Sequence, residues 1–495
     1  MFNVTSGWLM TEISASPFMI AMVQVATSAP LFLFSLPAGA LGDIFDRRKL
    51  LMLSQIALAL LLFVFTWLLW IGKPQAESLL FFTFMIGVGT AFAMPAWQAI
   101  VPRLVPKKDL SSAIALNGVS INLARAIGPA LGGIILTSVG AVATVAFDAI
   151  SYLFIVAALV WWRVSHHLQE DLPREHLVGA MQAGLRFAWF SRPLKYTILR
   201  AVAFFFFAVA YWALLPLVAK EGMNGSASFY GMLLTALGCG AIGSALLLPL
   251  SNRYLNANQT VACGTMLTAI SLLLFAYGKQ EWIGIIAGLI AGIAWILVMA
   301  ALTLSAQLAL PEWVRARGLA LFQMMFFGAM TCGALVWGEL ASMLGLSVSL
   351  TIAAIASLVV MLLTWSFHLN LGENHDHTPS NHWTESIWEL PIAHDQGPVL
   401  VTLEYIIADN DREDFIRLIK HLGLSRRRDG AIQWGYFEDT DQKGHFIEAF
   451  LVDSWISHLR QHRRVSKTDK VIQDKINALH QGENPPRVVH AVTPK

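Results

Sequence analysis

The strongest restriction on this chain comes from its uninterrupted apolar runs, each close to the length a helix needs to cross a lipid bilayer. They fall near residues 18–42, 50–71, 79–100, 112–136, 141–162, 194–219, 227–250, 260–278, 282–304, 317–340 and 346–367. About 20 residues at about 1.5 Å each span a hydrocarbon core about 30 Å thick. Only a structure that satisfies its own backbone hydrogen bonds survives there, so each run is predicted to be a helix. Charged residues make up 13% of the 495, against about 25% in a typical soluble domain, which excludes a water-soluble fold for this part. Met1 to Thr11 adds an apolar stretch about half a span long. It is expected to be the outer end of a twelfth helix whose cytosolic half is missing, through a late start site or a truncation.

The basic residues give these helices a direction. Arg47, Arg48 and Lys49; Arg103, Lys107 and Lys108; Arg163, Arg174, Arg186, Arg192 and Lys195; Arg253; and Arg315 and Arg317 all sit in alternate loops, whereas the opposite loops hold only Lys73, Lys220 and Lys279. Basic loops stay on the cytosolic side, so the central loop and the C-terminus are predicted to be cytosolic. The net charge of +2 gives no reason to expect a nucleic-acid partner. Cys239, Cys263 and Cys332 all lie inside predicted spans, which argues for packing rather than a disulfide framework or a thiolate metal site.

A shift of 205 positions superposes Pro106 on Pro311, Ala115 on Ala320, Leu116 on Leu321, Gly128 on Gly333 and Gly133 on Gly338. The fold class expected is therefore an all-α multi-span bundle of two six-helix repeats, with the substrate path between them near mid-membrane. Residues 1–162 form the first half, with helix 1 incomplete, and residues 194–368 the second. Between them, residues 163–193 carry Leu177, Met181, Leu185 and Trp189 at four-residue spacing beside Arg174, Arg186 and Arg192, predicting an amphipathic helix on the inner membrane surface.

Residues 369–397 are polar and irregular and read as a linker. In residues 398–495, strands are predicted at Val399–Ala408, Ile432–Asp439, His445–Val452 and Arg487–Val492, with helices at Asp411–Arg428 and Ser454–His480. That order, βαββαβ, is an α+β ferredoxin-like one. With fifteen Lys or Arg against fourteen Asp or Glu, the domain lacks a nucleic-acid footprint, and small partners or self-association are expected.

At the cytosolic end of the second helix stands Gly39-Ala40-Leu41-Gly42-Asp43-Ile44-Phe45-Asp46-Arg47-Arg48-Lys49. Its spacing resembles the loop signature of the major facilitator superfamily, with Asp46 where that signature has a glycine. The resemblance implies that Gly39 permits close helix contact, while Asp43, Arg47 and Arg48 stabilise one state of an alternating cycle. Simple positive-inside anchoring would explain the basic residues but not Gly39 or Asp43. In the fifth helix, Gly128-Pro129-Ala130-Leu131-Gly132-Gly133 clusters small residues around a proline, which lets neighbouring helices approach and bends the backbone. Gly128, Pro129, Gly132 and Gly133 resemble the superfamily's antiporter motif, and with the loop signature they imply export.

Arg125 lies about 16 Å and Asp148 about 12 Å below the outer surface by helix rise, a depth match that predicts an intramembrane charge pair. Its function would be to bias the transport cycle through protonation or substrate contact; the alternative is a static packing pair. Arg125 aligns with Met330 in the repeat, so the charge belongs to one half only, which favours a site. Tyr211, Trp212, Trp295, Phe322 and Phe326, with Trp337, are candidates to line an aromatic cavity; the alternative for each is a lipid-facing position.

From about residue 8 to 368, Trp8-Leu9-Met10-Thr11, the loop signature, Arg125-Ala126-Ile127-Gly128-Pro129 and Ala149-Ile150-Ser151-Tyr152 resemble the enterobactin-exporter-like, or transmembrane secretion effector, branch of that superfamily. The resemblance implies proton-driven export of siderophore- or drug-like molecules across a bacterial inner membrane. Arg428-Asp429-Gly430-Ala431 and Ser454-Trp455 resemble the appended domain of some such transporters, and the strand order is similar to that of antibiotic-biosynthesis-type monooxygenases. A membrane-tethered small-molecule monooxygenase and a sensor are therefore the alternatives to an exporter.

His458 and His462 share one helix face, a spacing that suits a metal if other ligands join. The sequence offers no obvious third ligand, and a solvated basic face accounts for both, as a linker does for His375, Asp376, His377 and His382. No metal, cofactor or catalytic residue is expected. There is no G-x-x-x-x-G-K-[ST] loop, so ATP-driven pumping would need a separate subunit. The partners expected are a small organic substrate, protons, the lipid bilayer and a second copy of the chain.

Overall fold

The computed structural model describes residues 1–44, 46–72, 74–100, 116, 120, 124, 127–128, 131–161, 177–311, 313–369, 393 and 395–493. They divide into two compact units: Met1–Arg174, Tyr196–Ser305 and Ala320–Leu369 in the first, and Glu175–Lys195, Ala306–Leu319 and Asn370–Lys495 in the second.

The first unit is helical, with α1 (Phe2–Ile13), α2 (Pro17–Ile44), α3 (Arg47–Trp70), α4 (Ala76–Ile100), α5 (131–138) and α6 (Ala141–Trp161) in its first half. After α7 (Leu177–Phe190), which belongs to the second unit, come α8 (Arg192–Leu217), α9 (Ala227–Tyr254), α10 (Ala257–Tyr277), α11 (Glu281–Leu308), α12 (Arg315–Leu344) and α13 (Leu346–Leu363). Among the described residues, ten helices are long and apolar enough to cross a membrane. The span expected at 112–136 lies largely outside the described residues, and α5 contains its last part. Hydroxyls inside the spans are satisfied locally: Thr27 donates to the Val23 carbonyl, Ser28 to Gln24 and Thr83 to Leu79, as a medium without water requires.

The 205-residue shift carries elements onto elements. It moves Ala76 onto Glu281 and Ala141 onto Leu346, the first residues of α4 and α11 and of α6 and α13. Packing repeats too. In the first half α2 lies on α4 and α3 on α6; in the second, α10 lies on α13 and α9 on α11. That last contact depends on missing side chains, since a Cβ at Gly240 would come within 2.1 Å of the Leu289 carbonyl oxygen and one at Gly292 within 2.0 Å of that of Leu237. The same shift places α1 on the second part of α8. Thr5, Ser6 and Met10 of this short helix are fully enclosed.

The second unit joins α7 and residues 306–319 to the C-terminal domain. The domain comprises β1 (Val399–Ile406), α14 (Arg412–Asp429), β2 (Gln433–Glu438), β3 (His445–Val452), α15 (Trp455–Arg464), α16 (Lys467–Ala478) and β4 (Arg487–Val492). The sheet runs β2-β3-β1-β4 with every pair antiparallel. Alternation along β1 sends Val399, Val401, Leu403 and Tyr405 into a core with Phe446, Phe450, Phe415, Ile419 and Ile476, where each such side chain stabilises the fold by about 1.5–3 kcal/mol.

One expectation needs correction here. The helix expected over Ser454–His480 is two, because Val465 is extended and Ser466 starts α16 with a capping box, accepting from Asp469 N–H while the Asp469 carboxylate returns to Ser466 N–H. A helix is present in the central loop as α7. Leu185 and Trp189 are exposed, whereas Gly184, Phe187 and Ala188 are buried. Gly184 admits the Arg317 side chain, and Phe187 meets the Trp313 ring edge-on at 5.8 Å. The side chains of Leu177 and Met181 lie outside the described residues.

Candidate transport path and gate

One end of the helical bundle carries Arg47, Arg48, Arg192, Arg253 and Arg315 and is termed the basic end. At the opposite end the two halves meet closely. A Cβ on Gly133 of α5 would lie 2.9 Å from the Gly231 Cα of α9, and one on Gly338 of α12 would lie 2.5 Å from the Ala21 Cβ of α2. Gly133 and Gly338 are the pair that the sequence repeat superposes, so repeat-related glycines admit the equivalent helix of the other half. Around them, Phe18 N–H donates to Ser342 Oγ at 3.0 Å and the Ser28 and Thr331 hydroxyls meet at 2.9 Å. Trp8 stacks on Tyr230 with ring centroids 6.2 Å apart, and Lys220 Nζ donates to the Thr11 carbonyl. Of the other antiporter-motif residues, Gly132 faces α1 through Met1 and Val4, Gly128 has nothing among the described residues where a Cβ would be, and Pro129 lies outside the described residues.

Gly39 and Asp43 sit in the last turns of α2; the side chains of Asp43 and Arg47 lie outside the described residues. Asp46, the residue that departs from the signature, caps α3 by accepting from the N–H groups of Arg48 and Lys49. A carboxylate there suits both the orphan donors and the helix dipole. The Arg48 guanidinium closes the far end of α6, donating to the carbonyls of Leu159 and Val160 at 2.8 and 3.0 Å. In this conformation Arg48 therefore binds within its own half.

Arg125 lies outside the described residues. Asp148 accepts from Phe2 N–H at 2.8 Å, with the Met1 nitrogen 3.8 Å away, so the described partner of this carboxylate is the start of α1. Phe205, Tyr211, Trp212 and Phe326 come together around Trp295, with ring centroids 5.0–6.4 Å from it, and Phe205 lies 4.4 Å from Phe326. Phe205 and Tyr211 are fully buried, and among the described residues the Tyr211 hydroxyl and Trp212 Nε1 have no hydrogen-bond partner beyond one another. Trp295 is 13 residues from the end of α11, about 20 Å of helix, which places the cluster at mid-bundle. Phe322 is buried on the same helix as Phe326. Trp337 lies apart from them, donating to the Phe206 carbonyl at 2.7 Å. Arg200, which the loop count passed over, is buried and donates to Asn258 Oδ1 at 2.7 Å and to the Phe367 carbonyl, joining α8 to the ends of α10 and α13.

The C-terminal domain buries charge instead. Glu448 takes Arg426 at 3.2 Å, Trp434 Nε1 at 2.9 Å and the Tyr405 hydroxyl at 3.3 Å; burial together with this carboxylate holds the Tyr405 phenol well above its ordinary range. Arg428 binds Asp429 and Asp469 and lies over the Phe187 ring. Burial alone would raise the Asp469 carboxyl, yet Arg428 and the Ser425 and Ser466 hydroxyls hold it well below the usual carboxylate range. Gly430, at a φ of 142° that favours glycine, ends α14 and presents its carbonyl to Arg186 of α7. An open cleft of about 650 Å³ beside it is lined by Arg186, Phe190, Arg427, Ile432 and Trp434.

His458 and His462 acquire the third ligand that the sequence did not disclose. His490 of β4 brings its ring to 4.8 Å from His458, and ligating nitrogens of all three histidines lie within 4.8 Å of one another. The basic-face explanation fails for His458, which is fully buried. Burial, with His462, His490 and Arg426 nearby, pushes its imidazole down to about 3.

A family model described as transmembrane secretion effector matches residues 1–495. The staphyloferrin A transporter of Staphylococcus aureus is 26% identical over 54% of this chain and 67% of its own length. The multidrug efflux pump Tap of Mycolicibacterium fortuitum is 22% identical over 69% of this chain and 85% of its own. Among solved structures, a POT family transporter crystallised with 5-aminolevulinic acid superposes with a TM-score of 0.59 at 13% identity, over 74% of this chain and 92% of that one.

Proposed function

Because the chain belongs to the transmembrane secretion effector family, we propose that this multi-pass membrane transporter is a proton-coupled exporter of siderophore- or drug-like molecules in a bacterial inner membrane. The names of its relatives, a siderophore transporter and an efflux pump, support that substrate class and an exporter in place of an enzyme. The observation that carries the mechanism is the symmetric pair of close contacts at Gly133 and Gly338. Two six-helix halves, residues 1–162 and 194–368, rock about a central site, and these contacts seal the outer face while the basic end is open to the cytosol. Small-residue contacts suit such a seal, because they pack tightly without the desolvation cost of charges.

In this reading Gly39, Asp43, Arg47 and Arg48 gate the basic end when the outer seal opens. Asp148 exchanges its contact with the start of α1 for Arg125 or a proton, and the aromatic cluster at Trp295 receives a flat substrate. The central loop at 163–193 and the linker at 369–397 lead to a cytosolic ferredoxin-like domain at 398–495, similar to antibiotic-biosynthesis monooxygenases. Its β2-β3-β1-β4 order supports that class. Leu400, Ile406 and Phe437 stay exposed on the face of the sheet opposite the buried residues of β1, which supports self-association with the sheet of a second copy. Cells expressing the chain are expected to retain less of a fluorescent drug or labelled siderophore than cells expressing Asp43→Ala. Equal retention by the variant contradicts the gating role of Asp43, and retention equal to that of cells lacking the chain, across a broad substrate panel, contradicts export.

A further inference from the structure

We propose that His458, His462 and His490 form a three-imidazole binding site for a divalent transition-metal ion of the zinc class in the C-terminal domain. Two ligands come from one face of α15, four residues apart, and the third from edge strand β4, which pairs only with β1 in the sheet order. The register of β4 opposite β1 sets His490 against Val401, a core residue, so the third imidazole points to the helix-covered face where α15 lies. His458 is fully buried, and neither of its ring nitrogens has a hydrogen-bond partner among the described residues. Leaving a buried imidazole without a partner is unfavourable, and a metal bond would offset that cost.

The donor set fits the chemistry. Three neutral imidazoles with one open position are a recurring zinc arrangement. The nitrogens need only close from within 4.8 Å to about 3.3 Å, the separation that tetrahedral bonds of about 2.0 Å impose, a shift that ring rotations supply. Arg426, the neighbouring permanent cation, is paired with Glu448 at 3.2 Å, so it does not oppose a dication with a full charge. Trp455 packs against His458 and His490 with centroids 5.4 and 6.3 Å away, keeping the two rings side by side. The ion would bind α15 to β4, and α15 ends at Arg464, whose guanidinium lies 4.2 Å over the Trp313 ring.

The test uses the full chain, purified in detergent without a histidine tag and stripped by chelator. Zinc titration is expected to give one tight site per chain, and cobalt a tetrahedral visible spectrum with X-ray absorption reporting nitrogen ligands. His462→Ala and His490→Ala are each expected to weaken zinc binding at least about 100-fold, whereas His375→Ala/His377→Ala/His382→Ala in the linker leaves the site intact. Absence of zinc binding by the wild-type chain overturns the proposal. So does loss in the linker variant with retention in His490→Ala, or a wild-type absorption spectrum without imidazole nitrogen, a readout that holds even if a variant misfolds.

Discussion

The two halves of the bundle share one helix plan and put it to different uses. The first half sets Asp148 against the start of α1 and caps α3 and α6 with Asp46 and Arg48, whereas the buried charge described in the second half is Arg200. The second half surrounds Phe205 and Trp295 with aromatic rings and carries no counterpart of Arg125, whose equivalent is Met330. What they hold in common is the glycine pair Gly133 and Gly338. The difference teaches that the repeat preserves the glycine contacts of the scaffold, while the departures from it are the places to which the proposed mechanism assigns coupling and substrate contact.

That division can be broken most strongly at the seal. Gly133→Leu and Gly338→Leu each force a side chain into a space already occupied at 2.9 or 2.5 Å. Overpacking of about 1–3 kcal/mol disfavours the closed state about 5- to 150-fold. Both variants are expected to speed maleimide labelling of Ser28→Cys from the outer side, in a background with the three native cysteines removed, and to do so to a similar degree. Unchanged labelling, or a response in one half only, breaks the symmetry. Asp148→Asn separates the halves next: it should cut pH-driven efflux about tenfold, the scale of about 1.4 kcal/mol, while drug binding is kept. Full pH-driven efflux would reduce Asp148 to a packing residue. Trp295→Ala should act in reverse, weakening substrate binding a few-fold by tryptophan quenching and leaving the proton response in place.

The smallest effect lies in the C-terminal domain. Asp469 has a folded-state carboxyl held below its ordinary value of 3.8, so its contribution to stability is complete above that pH and is lost as pH falls below it. The stability gap between wild type and Asp469→Asn, followed by denaturant unfolding of the full chain, should be widest at neutral pH and close under acid. Asp429, raised by burial and in part by Asp469 itself, shares Arg428 with it, so its altered titration in Asp469→Asn is part of the gap. A gap that is constant with pH would remove Asp469 from the acid response.

Much of the fold was legible because it rests on local physics. Apolar runs of bilayer length imply helices, and the 205-residue shift already paired Gly133 with Gly338. The sequence could not show which helices those glycines admit, since Gly231 and Ala21 are brought near by tertiary packing alone. His490 was hidden for a similar reason: it lies 28 residues beyond His462, and only the pairing of β4 with β1 turns it toward α15. The start of α16 was written in Ser466-x-x-Asp469 but was masked by the continuing apolar period. The sequence named one apolar stripe of α7 but not the opposite face, where Phe187 meets Trp313, because that helix is apolar on two sides.

Export remains the claim on which the other readings depend, and it is tested by proton movement in sealed proteoliposomes holding the full chain and a pH-sensitive dye. With an imposed proton gradient, adding a siderophore- or drug-like substrate should start proton flux opposite to substrate movement, and Asp148→Asn should suppress it. Substrate that moves without proton flux would contradict the coupling. A chain that moves neither across a broad panel, in vesicles shown to be sealed and correctly inserted, would contradict export itself.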